Sequence, residues 1–535
     1  RHSTIAPRRG AVALPALAAG LGLAFSLPPW GLWILAFPAA ALFWWRLGGL
    51  PARTRLWAGW LVGLGYYGPG LAWARAFTLV GALVLIVVCA LYIAVGALAV
   101  PRGPLLARVL CFPAALTLVE AARMAWPFGG LPLGGVFLGQ AGGPVLPVAR
   151  LGGPLALTAA VYLGGAGLGA LAEWVTRSLR DGHRARAFAR SQWSLSRGNG
   201  LARGAMAGLG GLAGLGALCL VVLAVAVALA GAVPDGGAPV GHVTAAAVQG
   251  GGPRGFHNSE TPPATVLAAQ DAATAELTSL GTGSAPELVL WPEDVVAISG
   301  PLAGSGEERA LSALARRLGS TLVVGVTETL SNTVFRNEVV AFGPDGRIVS
   351  RYEKVHRVPF GEYVPLRGLF SHLADLSAVP RDAVPGTGSG LLPTPAGPLG
   401  AMVSYEVFYA DRGRAPVRAG AELLIVPTNT SSYATGQVPS QEIAAARVQA
   451  VEQGRDLLQA APTGYSAAVT NQGTVLGRSV LGARQVVFAT LALRRGTTPY
   501  VAAGDLPVLL LAAAALVTGW LLAWRRGGGR RPAYR

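Results

Sequence analysis

Apolar runs dominate the first 230 residues and return once near residue 510, while the stretch between them breaks into strand-length and helix-length pieces. About 20 apolar residues span a bilayer core as a helix. On that measure eight spans are expected, at roughly 11–27, 30–45, 56–73, 78–100, 105–122, 151–175, 205–232 and 504–524. The pattern from 233 to 503 is different. Val243–Gln249, 286–292, 321–328, 399–405 and 423–427 read as short apolar strands, and 263–280, 305–319, 411–419 and 440–453 as helices between them. Two more strands flank the turn Gly343-Pro344-Asp345-Gly346, and a last hairpin turns at Asn471-Gln472-Gly473. Strands alternating with helices predict a layered α/β domain. The chain thus divides into a seven-span membrane domain (1–232), an α/β domain (233–503), an eighth transmembrane helix (504–524) and a basic tail (525–535).

Composition agrees: 52% of residues are hydrophobic, 13% are charged, and mean hydropathy is +0.49. The net charge of +17 resembles a nucleic-acid signature until the charges are located. Residues 233–503 hold 20 basic and 22 acidic side chains, a net of −2, and the rest hold 23 and 4, a net of +19. The excess belongs to the membrane segments, so nucleic acid is not an expected partner. Of those 23 basic residues, 20 fall in 1–10, 46–55, 101–108, 176–204 and 525–535. Placing these segments in the cytoplasm satisfies the positive-inside bias. Both termini are then cytoplasmic, 176–204 is a basic cytoplasmic loop, and the α/β domain is extracytoplasmic. The opposite side carries only Arg75, Arg123 and Arg150. Its loop 123–150 is apolar but broken by Gly and Pro. It reads either as a re-entrant or interfacial segment, or as a greasy platform for lipid in which Trp126 and Phe128 line the access path.

Cys89, Cys111 and Cys219 all lie in apolar runs, where they act as small hydrophobes, and the six histidines show no ligand spacing. No metal or cofactor is expected. One residue stands out: Lys354 is the only lysine among 43 basic side chains. Arginine is planar and always protonated, whereas lysine offers a compact ammonium whose proton can leave. Glu293, Lys354 and Ser404 each stand at a strand end, where a rigid sheet positions reactive groups.

Three motifs carry a resemblance. Leu290-Trp291-Pro292-Glu293, the run from Tyr352 through Lys354 to Val358-Pro359-Phe360-Gly361-Glu362-Tyr363-Val364-Pro365-Leu366, and Ser404-Tyr405-Glu406-Val407 occur in the order seen in the nitrilase (carbon–nitrogen hydrolase) superfamily. With eight spans attached, the whole chain resembles the apolipoprotein N-acyltransferase family. That resemblance implies an αββα sandwich with a Glu–Lys–Cys triad. Glu293 would be the general base, Lys354 would stabilise the oxyanion, and position 404 would hold the nucleophile. Glu362, Glu406, Tyr405 and Asn337 would support the site. It also implies a bacterial plasma-membrane enzyme, expected to act as a monomer. It would take an acyl chain from phospholipid and pass it, through an acyl-enzyme, to the N-terminal amine of a diacylglyceryl-cysteine apolipoprotein.

The chain departs from the pattern at the nucleophile. Position 404 is Ser where the family has Cys, and the α/β domain contains no cysteine. A thiol ionises near pH 8.5, whereas a hydroxyl needs an aligned base in contact with it. Three explanations stand: an introduced nucleophile knock-out, a natural serine in a slow acyltransferase, or a paralogue that binds lipid or lipoprotein without catalysis. A membrane-anchored nitrilase-type amidase is a further alternative.

Overall fold

The computed structural model describes residues 9–191, 199–252, 261–279, 285–372, 376–377, 379–431 and 436–528. Helices α1 (Arg9–Ser26), α2 (Ala36–Leu47), α3 (Ala52–Gly70), α4 (Leu79–Ala99), α5 (Leu105–Ala125), the single turn α6 (Val136–Gly139), α7 (Ala149–Ser191) and α8 (Asn199–Ala232) fill the first part. Among the described residues five stretches are long and apolar enough to cross a membrane: Leu79–Ala99, Leu105–Ala125, Leu146–Arg180, Gly210–Ala232 and Leu506–Arg525. The first two apolar helices are shorter, and α3 carries Arg53 and Arg55 in its first turn.

The basic segment expected as a loop at 176–204 is largely helix. α7 continues to Ser191 and α8 starts at Asn199; residues 192–198, like 1–8 and 529–535 of the expected basic ends, lie outside the described residues. Ala and Arg are good helix formers, so the helices continue past their apolar stretches. α7 bends at Gly152 and Gly153. Gly153 has φ +60°, and a Cβ there would stand 2.6 Å from the Tyr500 ring.

Loop 123–150 is not a surface platform along its length. Residues 132–141 are buried against the helices, while the tip stays open, with Trp126 66% and Phe128 39% exposed. Arg123, expected to face solution, is buried instead. It pairs with Glu120 at 2.7 Å and donates to the carbonyls of Leu131 and Leu133. Arg150 is likewise buried and donates to Ala230 O. A loop rich in Gly and Pro has few internal hydrogen bonds, so these guanidinium groups satisfy its carbonyls and those of a neighbouring helix end.

The α/β part contains α9 (Pro263–Ser279), α10 (Gly306–Leu318), α11 (Arg367–Phe370), α12 (Ala410–Arg418), α13 (Gln437–Gln453) and α14 (Pro499–Ala503); α15 (Leu506–Gly528) follows. Its first sheet comprises β1 (Gly241–Gln249), β2 (Leu288–Leu290), β3 (Val296–Ser299), β4 (Thr321–Thr329), β5 (Val334–Phe342), β6 (Ile348–Glu353), β7 (Asp382–Ala383) and β14 (Gln485–Leu493). Its spine runs β14-β1-β2-β4-β5-β6, with β3 beside β4 and β7 beside β5. The second sheet comprises β8 (Leu391–Leu392), β9 (Leu399–Ala401), β10 (Leu423–Pro427), β11 (Leu457–Ala460), β12 (Ala467–Val469) and β13 (Val475–Arg478), in the order β13-β12-β11-β10-β9-β8. Strands β3, β7, β8 and β14 escaped the sequence pattern; the first three are four residues or shorter.

Side-chain alternation builds the layers. Ala245, Ala247, Leu290 and Val323 meet Leu423, Ile425 and Leu458 between the sheets. Ala246, Val248, Val289 and Val324 face the opposite way, onto α9 and α10. Leu424 and Val426 pack on Ala444, Ala445 and Val448 of α13, in the same core as Leu133, Val136 and Phe137 of the membrane part. The result is an αββα sandwich whose second helix layer is shared with the membrane helices. Polar contacts seal that seam. Gln437 donates to Pro69 O at 2.8 Å and Gln441 accepts from Gly134 N at 2.9 Å.

The buried Glu120–Arg123 pair predicts a distinctive mutational pattern. Removing one partner of such a pair strands a charge and costs about 3–5 kcal/mol, whereas replacing both by apolar residues costs far less. Arg123→Met alone is therefore expected to lower the unfolding midpoint of the detergent-solubilised chain more than Arg123→Met combined with Glu120→Leu. An equal or larger loss in the double variant would contradict this.

Candidate active site

Glu293 leaves β2 through Pro292 and is buried. Its loop lies directly on β4. Gly325 N–H donates to Pro292 O at 3.2 Å, and a Cβ at Gly325 would stand 2.4 Å from that oxygen and 2.5 Å from Glu293 Cα. Only glycine allows that approach. Lys354 follows β6, and its N–H donates to Asn337 O on β5 at 3.0 Å.

The side chains close a ring of four hydrogen bonds. Lys354 Nζ donates to Glu293 Oε1 at 2.9 Å and to Glu362 Oε1 at 2.8 Å. Asn337 Nδ2 donates to the same two oxygens, at 2.8 and 2.9 Å. Glu362 Oε2 accepts from Val358 N at 2.7 Å, which bends the 358–363 segment back over the site. The structure thus brings together Glu293, Lys354, Glu362 and Asn337. Burial pushes the Lys354 pKa down, but Glu293 and Glu362 beside it more than compensate and hold it above the ordinary lysine value. Burial pushes the Glu293 carboxyl up, against the pull of Lys354. An ammonium has three protons and two are committed, so one is available to a reacting oxygen. Glu293 Oε2 has no hydrogen bond among the described residues and is the oxygen left to take a proton.

The chain around Ser404 is tied to the strand end that carries Lys354 by the neighbouring Glu406. The sequence pattern extended a strand through 405, but β9 stops at Ala401 and Ser404–Phe408 form a 3₁₀ turn. The backbone turns because the fully buried Glu406 carboxylate gathers donors from two strand ends. It accepts from Val403 N at 2.8 Å, Val355 N at 2.8 Å, His356 N at 3.0 Å and Tyr352 OH at 2.9 Å. The residues on both sides of Lys354 are thereby tied to those on both sides of Ser404. Ser404 has φ +51°, a left-handed conformation that costs a non-glycine residue about 1 kcal/mol or more. The other non-glycine residues with positive φ among those described are Phe128, Asp294, Phe360 and Leu366, all in loops around this site.

The membrane loop reaches the same place. Tyr405 OH and Tyr409 OH donate to Gly130 O at 3.0 and 3.1 Å, and Tyr363 OH donates to Phe128 O at 3.2 Å. The Phe128 ring lies 6.0 Å from that of Phe360, which is 43% exposed. Trp126 stays at the open rim rather than against the ring.

Family comparison follows the same division. The family model described as apolipoprotein N-acyltransferase N-terminal domain matches residues 19–167, and the carbon–nitrogen hydrolase model matches 244–498. An apolipoprotein N-acyltransferase of Mycolicibacterium smegmatis is 30% identical over 482 residues, covering 87% of this chain and 77% of the relative. The chain belongs to the apolipoprotein N-acyltransferase family. Another member, from Azotobacter vinelandii, is 29% identical over 569 residues and covers 97% of this chain and 96% of its own length. Among solved structures, a carbon–nitrogen hydrolase from Helicobacter pylori has 16% identity and a TM-score of 0.36, covering 53% of this chain and 94% of that one.

A further buried carboxyl near the site, Glu442, has no signal in the sequence pattern. Glu442 on α13 accepts from Thr428 Oγ1 at the end of β10, and from Gln459 Nε2 at 3.4 Å. Its helix is buried nearly all round, so no amphipathic stripe set it apart. Tyr363 and Phe360 sat inside the long motif without an assigned part. Burial pushes the Glu442 carboxyl up to about 8, with Glu293 adding to the rise and Thr428 and Lys354 opposing it. Its folded value lies above the ordinary 4.5, so the folded chain holds a proton that the unfolded chain has released. The stabilisation is complete below about pH 4.5 and is lost as pH rises through 8, at roughly 1 kcal/mol per pH unit. The unfolding midpoint is expected to fall from pH 6 to 9, and Glu442→Gln to flatten that slope. Identical slopes in both proteins would exclude Glu442 as its source.

Proposed function

We propose that this chain transfers an acyl chain from membrane phospholipid to the N-terminal amine of a diacylglyceryl-cysteine lipoprotein, with residue 404 as nucleophile. Glu293 takes the proton from Ser404 Oγ as that oxygen attacks the ester carbonyl. Lys354 meets the oxyanion with its uncommitted N–H. Collapse breaks the bond to the glycerol oxygen, Glu293 returns the proton to it, and a lysophospholipid leaves. The acceptor amine then attacks the acyl-enzyme ester. Glu293 takes a proton from nitrogen, the amide forms, and Ser404 Oγ recovers its hydrogen. A preorganised donor at the oxyanion is worth about 10²–10³ in rate.

The observation that carries this reading is the closed ring of Lys354, Asn337, Glu293 and Glu362, tied through Glu406 to position 404. Asn337, Glu362, Glu406 and Tyr405 act as positioning residues, and Trp126 and Phe128 line the path for lipid. We further propose eight crossings, with the 233–503 domain on the extracytoplasmic face, both ends of the chain on the cytoplasmic side, and a monomer as the working unit. The arginine distribution supports that orientation. Ser404 itself favours a second reading, a relative that binds lipid or lipoprotein without turnover.

Intact-mass analysis after incubation with phospholipid separates these readings. Ser404→Cys is expected to gain the mass of one acyl chain, and the serine form to gain it more slowly. An adduct on Cys with none on Ser supports the binding-only reading for this form. No adduct on either overturns the acyl-transfer mechanism.

A further inference from the structure

A cavity of about 180 Å³ lies where the membrane loop meets the α/β domain, beside the ring. Phe128 and Gly129 line it from the loop, and His356, Arg357, Tyr363 and Tyr409 from the other side. The mechanism above uses neither His356 nor Arg357.

Arg357 is fixed in place before any ligand arrives. Nη1 donates to Ala383 O at 2.8 Å, and the guanidinium carbon lies 4.1 Å from the centre of the Tyr363 ring. It is half-buried, and among the described residues no carboxylate lies within ion-pair distance of it. Nearby arginines are different: Arg336 pairs with Glu353, Arg351 with Glu338, Arg367 with Asp382 and Arg412 with Asp411. His356 lies on the Tyr409 ring at 4.2 Å, with Nε2 3.6 Å from Asp411 Oδ2. Asp411 is shared between His356 and Arg412, and Arg357 is left as the cavity-lining cation with no carboxylate at ion-pair distance among the described residues. A guanidinium is weakly hydrated and its planar fork matches two oxygens of a phosphate. A half-buried, prepositioned and unpaired arginine therefore marks a seat for an anion.

The position fits one kind of anion. Arg357 is three residues beyond Lys354, and the apolar rim of Trp126, Phe128 and Phe360 adjoins the cavity. A glycerophospholipid carries its ester carbonyl and its phosphate on one glycerol unit. We propose that this cavity seats the phosphodiester of the acyl donor, with Arg357 as the binding residue and His356 beside it. The inference rests on the acyl-transfer reading for its geometry, but binding tests it without turnover.

The test measures equilibrium binding of a fluorescent glycerophospholipid to the detergent-solubilised full chain. A diacylglycerol with the same chains and no phosphate serves as the second probe. Arg357→Gln is expected to weaken phospholipid binding about tenfold or more and leave the diacylglycerol unchanged. Arg357→Lys is expected to recover part of the loss, and Asp411→Asn, which removes the shared carboxylate, to tighten phospholipid binding. The Asp411 variant keeps the test alive should Arg357→Gln fail to fold. Soluble glycerol 3-phosphate is expected to compete only at far higher concentration. Equal weakening of both probes, no weakening of either, or displacement by glycerol 3-phosphate at matching concentration would overturn the proposal. Phosphate-dependent binding without any acyl adduct on Ser404→Cys would sink the transfer mechanism and leave the anion seat standing.

Discussion

A single ammonium buried between two carboxylates sets the terms for the rest of the α/β domain. Taking Lys354 out of water is unfavourable by several kcal/mol unless opposite charge and full hydrogen bonding surround it. Glu293 and Glu362 supply the charge, and Asn337 ties the two carboxylates to each other. Each of those residues then imposes a local demand. Glu293 needs Gly325 beneath its loop. Glu362 needs the chain to fold back at Phe360, which adopts φ +60°. Lys354 needs β5 and β6 in register so that its backbone meets Asn337. The strained residues gather here because the ring dictates where their neighbours must go.

Glu406 extends that constraint to position 404, and the tyrosines extend it to the membrane. Tyr405 follows position 404, the proposed nucleophile, and bonds directly to Gly130. Movement of the loop tip is therefore felt one residue from Ser404. The shared core of α13, β10 and the membrane helices adds a second route. Such coupling suits the proposed reaction, whose two substrates are both held in a bilayer, since the loop proposed to meet the lipid also braces the turn at Ser404.

Much of this was legible in the chain. The lone lysine meets Glu293, Glu362 and Asn337 in space, and the Ser404 motif is tied to the Lys354 strand end through Glu406. The alternation of Ala245 to Val248 encoded two faces of a sheet, and both faces proved buried. What escaped had physical reasons. Ser404 looked like the end of a strand because Met402 and Val403 are apolar, and only the long-range bonds to Glu406 turn the chain there. Arg123 and Arg150 looked like solvent charges because a sequence does not reveal which carbonyls a broken loop leaves unsatisfied. The basic segment after 176 looked like a loop because it is polar, yet its composition is helical. Glu442 gave no sign, since a fully buried helix lacks the stripe that marks an exceptional polar position.

On the proposed mechanism Lys354 acts as a compact charge with one proton to spare, a part that arginine cannot take. The direct measurement is the rate of acyl-adduct formation in Ser404→Cys compared with the same protein carrying Lys354→Arg, with unfolding midpoints recorded for both. The arginine variant is expected to remain folded and its rate to fall by about 10²–10³. A folded Lys354→Arg protein that acylates within a few-fold of its parent would contradict it.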